Sequence, residues 1–243
     1  MMEQSNMRRE LPNEKMVTPE LSDLTFQARE AINVLRGNIQ LSGFDLKVIA
    51  VTSSQASEGK STVAFRLARS FAALKKRTLY LDCDIRNSST LSRYKIHEEV
   101  KGLSEFLCGE AVMNEIVYRT DERYMDMIFT GAVAPNPSEL ISSKLFTLLL
   151  EEMRRRYDYI IVDTPPVNPV IDGALISKKC DGTVLVINSG VTERAQAVHA
   201  KQQLEYAGIK ILGAVLNQVE QDKKGYGYGY GYGYGYGKDS KKK

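Results

Sequence analysis

Residues 47–75 constrain the fold of this 243-residue chain more than any other stretch. An apolar run, Lys47-Val-Ile-Ala-Val-Thr52, leads into Ser53-Ser-Gln-Ala-Ser-Glu-Gly-Lys-Ser-Thr62, and a segment with Val63, Ala64, Leu67, Ala68, Phe71 and Leu74 along one side follows. The first run predicts a strand buried on both faces, and the spacing by threes and fours predicts a helix over 60–75. Between them stands the pattern Gly-x-x-x-x-Gly-Lys-Ser/Thr, met by Gly59, Lys60 and Ser61 but with Ser54 in place of the first glycine. The half of the motif that remains is the part that works on phosphate. Backbone amides at a helix N-terminus cradle the oxygens, Lys60 neutralises them, and the Ser61 hydroxyl suits magnesium.

Further apolar runs repeat the alternation. Thr78–Asp82, Met125–Thr130, Tyr159–Asp163, Val184–Asn188 and Ile211–Asn217 read as strands, with helices expected over 138–155, 170–178 and 193–207. A long first helix is expected from Thr18 to Ser42, with Thr18 as cap, Pro19 at its first position and Leu21, Leu24, Ala28, Ala31, Ile32, Leu35 and Ile39 as its stripe. Strands that are apolar throughout and alternate with helices predict an α/β fold, a doubly wound and mostly parallel sheet covered on both faces. Ligands in such sheets bind beyond the carboxyl ends of the strands.

Acids stand at those ends. The second strand runs into Leu81-Asp-Cys-Asp-Ile-Arg86, and a later one into Tyr159-Ile-Ile-Val-Asp-Thr-Pro-Pro166. Asp82 and Asp84 are two apart, so on an extended strand end both carboxylates face the same way and repel unless a cation intervenes. Asp163 is placed to reach the same cation. Each acid alone reads equally well as a cap or turn former. Three of them on one sheet edge with Lys60 and Ser61 predict a magnesium–ATP site.

The rest of the composition narrows the class. A formal net charge of +3 and 43% apolar residues fit one sizeable domain and give no electrostatic reason to expect nucleic acid. No run of about 18 apolar residues and no signal-like stretch is present, so a cytoplasmic protein is expected. Cys83, Cys108 and Cys180 lack paired spacing and read as reduced, mostly buried thiols, while His97 and His199 read as surface or packing residues. Residues 1–17 are expected to be a flexible N-terminus, 18–222 the catalytic domain, and 223–243 a disordered tail. That tail sets Tyr226, Tyr228, Tyr230, Tyr232, Tyr234 and Tyr236 on alternating glycines between basic flanks. Glycine at every second position removes the side chains that would cover a face and carries the largest backbone entropy to lose.

Taken together, Ser-x-x-Ser-Glu-Gly-Lys-Ser-Thr, Leu-Tyr-Leu-Asp-Cys-Asp-Ile-Arg and Tyr-Ile-Ile-Val-Asp-Thr-Pro-Pro resemble the Walker A, A′ and B motifs of the bacterial tyrosine kinases of capsule and exopolysaccharide systems. Asn136-Pro-Ser-Glu-Leu140 and the tyrosine tail match too, and the resemblance covers about residues 18 to 237. It implies a P-loop NTPase fold and an ATP- and Mg²⁺-dependent protein-tyrosine kinase. Ser57, Glu58, Gly59, Lys60, Ser61 and Thr62 would hold the nucleotide, with Asn217 on the adenine side. Ser61, Asp84 and Asp163 would hold the metal, and Asp82 would accept the tyrosine proton. The residues themselves leave open which aspartate is the base.

The resemblance further implies autophosphorylation in trans on the six tail tyrosines, a membrane-anchored activator of the polysaccharide co-polymerase type, and recruitment to the inner face of the membrane. Regulation of polysaccharide synthesis and export, other tyrosine-phosphorylated protein substrates and a ring of subunits follow from it as well. The family closes that ring with Glu-x-x-Arg-x-x-Arg. Here the positions read Glu30, Asn33 and Arg36, so one bidentate arginine is missing. Two other readings compete: a partitioning-type switch ATPase, which would carry a lysine where Gln55 stands, and a non-catalytic nucleotide-dependent regulator of a membrane partner. The tyrosine lattice and the intact acids speak against both.

Overall fold

Eight strands pair into one sheet in the computed structural model, which describes residues 15–20 and 22–219. In chain order they are β1 (Lys15–Val17), β2 (Val48–Ser53), β3 (Thr78–Asp82), β4 (Tyr118–Thr120), β5 (Met125–Ile128), β6 (Tyr159–Asp163), β7 (Gly182–Asn188) and β8 (Ile211–Asn217). The helices are α1 (Phe26–Leu41), α2 (Lys60–Ala73), α3 (Thr90–Arg93), α4 (Leu103–Leu107), α5 (Met113–Ile116), α6 (Pro137–Ser142), α7 (Lys144–Arg156), α8 (Asp172–Ser177) and α9 (Arg194–Tyr206). The sheet order is β1-β4-β5-β3-β6-β2-β7-β8, and every neighbouring pair is parallel except β4 with β5.

Period-two geometry divides the buried residues between two layers. Ile49, Val51, Tyr80, Ile161, Val184 and Val186 point to the face covered by α2, where they meet Val63, Leu67 and Phe71. Val48, Leu79, Leu81, Ile160 and Val162 point to the opposite face and pack on Phe146, Leu149 and Met153 of α7. A smaller cluster of Leu185, Ala200 and Leu204 holds α9. Strands that are buried on both sides explain why their sequences are apolar without alternation.

The first helix differs from expectation. It begins at Phe26, capped by the Thr25 hydroxyl, which accepts from Ala28 N at 3.2 Å; Thr18 and Pro19 lie outside it. Residues 15–17 instead add β1 to the sheet edge beside β4, with Val17 buried, and Glu20 N donates to Tyr94 O at 2.9 Å. Sheet pairing and this bond hold residues 15–20 outside the helix, which a periodic apolar spacing alone cannot override. Those three residues fall inside the span 1–17 that was expected to be flexible. The helix expected over 138–155 is two, divided at Ser143, whose hydroxyl caps α7 by accepting from Phe146 N. Cys83 is buried, Cys180 half-buried and Cys108 exposed; all three are free thiols. No described helix is long and apolar enough to cross a membrane.

Candidate active site

The phosphate loop leaves β2, the strand flanked by β6 on one side and β7 on the other, and ends at the first turn of α2. Gly59 sits there at φ 89°, and Asn217 Nδ2 lies 2.1 Å from where a Cβ on it would be. Only glycine satisfies both the left-handed backbone and the close approach. The same Nδ2 donates to Glu58 O at 3.0 Å, tying the loop to the end of β8. Glu58 turns its side chain away from the cavity and is 3% exposed. Its carboxylate accepts from Ser54 Oγ at 2.7 Å, from Gln55 N at 2.9 Å and from Thr192 Oγ1 beyond β7. Ser54, in the place of the motif's first glycine, thus supplies a bond that pins the loop.

Ser57 adopts φ 65°, a left-handed conformation that L side chains disfavour. Ser57→Gly is expected to stabilise the protein by about 0.5 kcal/mol, the ~1–2 kcal/mol of left-handed strain less the ~0.5–1 kcal/mol of added unfolded-chain entropy. Thermal denaturation reads this as a rise of about 1–2 °C. A fall would mean that the serine makes up its strain elsewhere.

Lys60, Asp82, Asp84 and Asp163 come together in a buried cluster at the ends of three elements. Lys60 Nζ lies 2.9 Å from Asp84 Oδ2 and 3.7 Å from Asp163 Oδ1. Burial acts to lower the Lys60 pKa, but the charges of Asp163, Asp84 and Asp82 outweigh it and raise the value. β3 ends at Asp82, so the alternation that would align Asp84 with it stops there, and the two carboxylates take different partners. Asp82 accepts from Asp84 N at 3.1 Å with one oxygen and from Ser88 Oγ at 2.6 Å and Thr90 Oγ1 with the other. Burial, and then the charge of Asp163, push its pKa up to about 6. Burial likewise raises Asp163, against the pull of Lys60; its Oδ2 accepts from the buried Tyr80 hydroxyl at 3.1 Å.

A cavity of about 390 Å³ opens above this cluster. Ser57, Gly59, Lys60, Ser61 and Asp84 form its floor, Arg86, Asn87, Ser89 and Arg93 one wall, and Pro165, Pro166, Pro169 and Val170 the other. The donor set fits a magnesium ion. Asp163 Oδ1 is buried and makes no hydrogen bond, with the Lys60 ammonium facing it at 3.7 Å, so it has a lone pair to offer a second cation. Among the described residues no three acids, histidines or cysteines form a closed cage. Magnesium bound mainly by nucleotide phosphates and water asks for one or two carboxylates and a hydroxyl, not a cage.

Other expected residues lie further off. Thr62 does not line the cavity and accepts from Arg93 Nη1, on its wall, at 3.1 Å. On α1, Glu30 accepts from Asn33 Nδ2 at 2.9 Å, and Arg36 donates to Ser70 O at 2.9 Å and Ser70 Oγ at 2.6 Å. Arg36 is therefore engaged with α2 of its own chain. His97 and His199 are exposed. Tyr226, Tyr228, Tyr230, Tyr232, Tyr234 and Tyr236 lie outside the described residues.

Arg86, Ser138 and Asp172 form a group that sequence reasoning did not single out. Asp172, fully buried at the start of α8, accepts from Arg86 Nε and Ser138 Oγ, and Arg86 Nη2 donates to Ser138 at 3.1 Å. This joins the loop after β3 to α6 and gives the Asn136-Pro-Ser-Glu-Leu140 stretch a physical task. The available signal was an arginine two residues past the second acid. Its partner is distant in sequence, which hid the pairing.

Comparison with known proteins agrees with the geometry. The AAA domain family matches residues 46–217. The tyrosine-protein kinase CpsD of Streptococcus pneumoniae serotype 4 is 43% identical over 194 residues, covering 80% of this chain and 86% of that protein. A crystal structure of the chimerical protein CapA2B2 superposes with a TM-score of 0.76 at 33% identity, covering 79% of this chain and 85% of that one. The kinase domain of the Escherichia coli tyrosine kinase ETK also gives 0.76, at 28% identity over 88% of this chain and 94% of that one. A P-loop α/β sheet, a lysine–carboxylate cluster at its carboxyl edge and these relatives together place the chain in the bacterial tyrosine kinase family, as a nucleotide-binding protein-tyrosine kinase.

Proposed function

We propose that this kinase uses magnesium and ATP to phosphorylate the tyrosines of its own C-terminal segment on a neighbouring copy, under the control of a membrane-anchored activator in polysaccharide synthesis and export. The observation that carries the reading is the convergence of Asp82, Asp84 and Asp163 on Lys60, with Lys60 and Asp84 lining a cavity at the phosphate loop.

Lys60 and the amides at the start of α2 hold the β- and γ-phosphates, and Asn217 marks the base side. Ser61, Asp84 and Asp163 hold the metal, which neutralises charge on the transferring group when bound. Asp82 orients the acceptor phenol and takes its proton. A phenol titrates near pH 10, so it needs such a partner, and a carboxylate raised to about 6 is a better base than an ordinary one. Ser88, exposed at the rim, gives up its bond to Asp82 when the phenol arrives. The tyrosine oxygen then forms a bond to the γ-phosphorus, the bond from that phosphorus to the β–γ bridging oxygen breaks, and its electron pair leaves on ADP.

The test is transfer of labelled phosphate from ATP in the intact chain and in one ending at Lys224, each with and without an activator segment. Tyrosine labelling that requires the tail is expected. Each phosphate adds roughly −1.5 to −2 charges, so full phosphorylation is expected to dissociate the oligomer, seen as a lower mass by light scattering. ATP hydrolysis without tyrosine labelling, even with a bound activator, would favour a switch ATPase whose tail is a tether.

A further inference from the structure

We infer that the segment Pro165–Val170 is the acceptor slot of the enzyme, an apolar wall that receives the phenol ring of the substrate tyrosine and selects it over serine and threonine. The inference rests on the proposed placement of the nucleotide base beside Asn217.

The strand order supplies the first step. β2 carries the phosphate loop, β7 and β8 lie on one side of it, and β6 and β3 lie on the other. With the base by Asn217 at the end of β8, a phosphate chain crossing the loop points its last phosphorus toward β6 and β3. The cavity lies on that side: its walls come from the segments after β3 and β6, and no residue of β7 or β8 lines it. The phosphates rest on its floor, and what enters between its walls is the acceptor.

The two walls differ in chemistry. Arg86, Asn87, Ser89 and Arg93 are polar, whereas Pro165, Pro166, Pro169 and Val170 present hydrocarbon. Hydrocarbon does nothing for a triphosphate, whose oxygens seek amides and cations. A tyrosyl side chain has an apolar ring and a polar tip, so its ring gains from the proline wall while its hydroxyl reaches the carboxylates. Serine and threonine bring a hydroxyl on a short stem and no ring to cover that wall.

The wall is also held in place relative to the phosphate loop. Pro165 O accepts from Thr52 Oγ1 at 2.9 Å and from Thr164 Oγ1 at 3.1 Å, and Val167 N donates to Ser53 O at 2.9 Å. Three of the residues 165–169 are prolines with fixed φ, so little freedom remains to be lost when a ring docks.

The experiment measures steady-state phosphorylation of a peptide with the sequence of residues 223–238 by the full-length kinase and its activator. It is paired with fluorescence anisotropy of the same peptide carrying phenylalanine at each tyrosine position. The anisotropy arm needs no phosphoryl transfer and so tests the slot even if the kinase reading fails. Val170→Ser is expected to raise the KM for the tyrosine peptide and the Kd for the phenylalanine peptide about 5- to 10-fold, with the KM for ATP moving less than about 2-fold. Val170→Phe, which fills the slot, is expected to abolish peptide binding while a fluorescent ADP analogue still binds. Unchanged peptide constants in Val170→Phe, or equal losses for peptide and ATP, would overturn the assignment.

Discussion

Lys60→Met is expected to lower tyrosine phosphorylation by about 10³-fold while retaining the length of the side chain. Lys60 is the described cation that contacts both Asp84 and Asp163 in the buried cluster, and its removal acts twice. It takes a positive charge from the transferring phosphoryl group, and it leaves buried carboxylates facing one another without a counter-charge. Removing one partner of a buried ion pair costs about 3–5 kcal/mol. A lower melting temperature without nucleotide is therefore expected alongside the kinetic loss. The double variant Lys60→Met with Asp84→Asn isolates the stability effect, because it relieves the repulsion while the phosphates lack both the lysine and one of the metal-holding carboxylates. Recovery of the melting temperature without recovery of transfer is the expected result. Recovery of both would show that Lys60 only supports the fold.

Asp82→Asn is expected to move activity and stability in opposite directions. Transfer should fall about 10²- to 10⁴-fold, the usual range for loss of a positioned proton acceptor. The metal- and nucleotide-free protein should become more stable. Asp82 is 1% exposed and shares its surroundings with Asp163, and its pKa of about 6 shows that the buried charged form is disfavoured. An asparagine of the same shape removes that charge, and the Ser88 and Thr90 hydroxyls can reverse to accept from its amide. A gain of order 1–3 kcal/mol follows, measurable by denaturant unfolding in the presence of a chelator. Loss of transfer with no gain, or with a fall, would contradict the view that the site stores unfavourable charge for its chemistry.

Much of this was legible in the sequence because the buried strands of a parallel sheet announce themselves locally. β2, β3, β6 and β8 start or end within a residue of where their apolar runs do, and the phosphate loop falls between β2 and α2 as its motif requires. Less visible were elements whose existence depends on distant partners. β1 has three residues and forms where it meets β4, so no window of sequence around it contains the reason, and β4, also three residues long, is too short to stand out although it pairs with the nearby β5. The site divides in the same way. Lys60 and the three acids could be named from spacing. The Glu58–Thr192 and Arg86–Asp172 bonds could not, since each joins residues brought together by topology alone. Glu58 stands in a motif of phosphate-facing residues yet turns inward, a choice decided by Ser54 and Thr192.

The approach of Asn217 to Gly59 has a consequence for how this site can vary over time. The Asn217 amide occupies the space that a side chain at position 59 would need, and its bond to Glu58 O depends on that space remaining empty. The two positions, far apart in the chain, are thus inherited as one unit. A bulkier residue at 59 forfeits the asparagine's bond, and a shorter residue at 217 releases the loop without making a side chain at 59 acceptable, because its φ of 89° still demands glycine. Drift at position 217 is open in one direction only, toward a looser loop, whereas position 59 is closed to change.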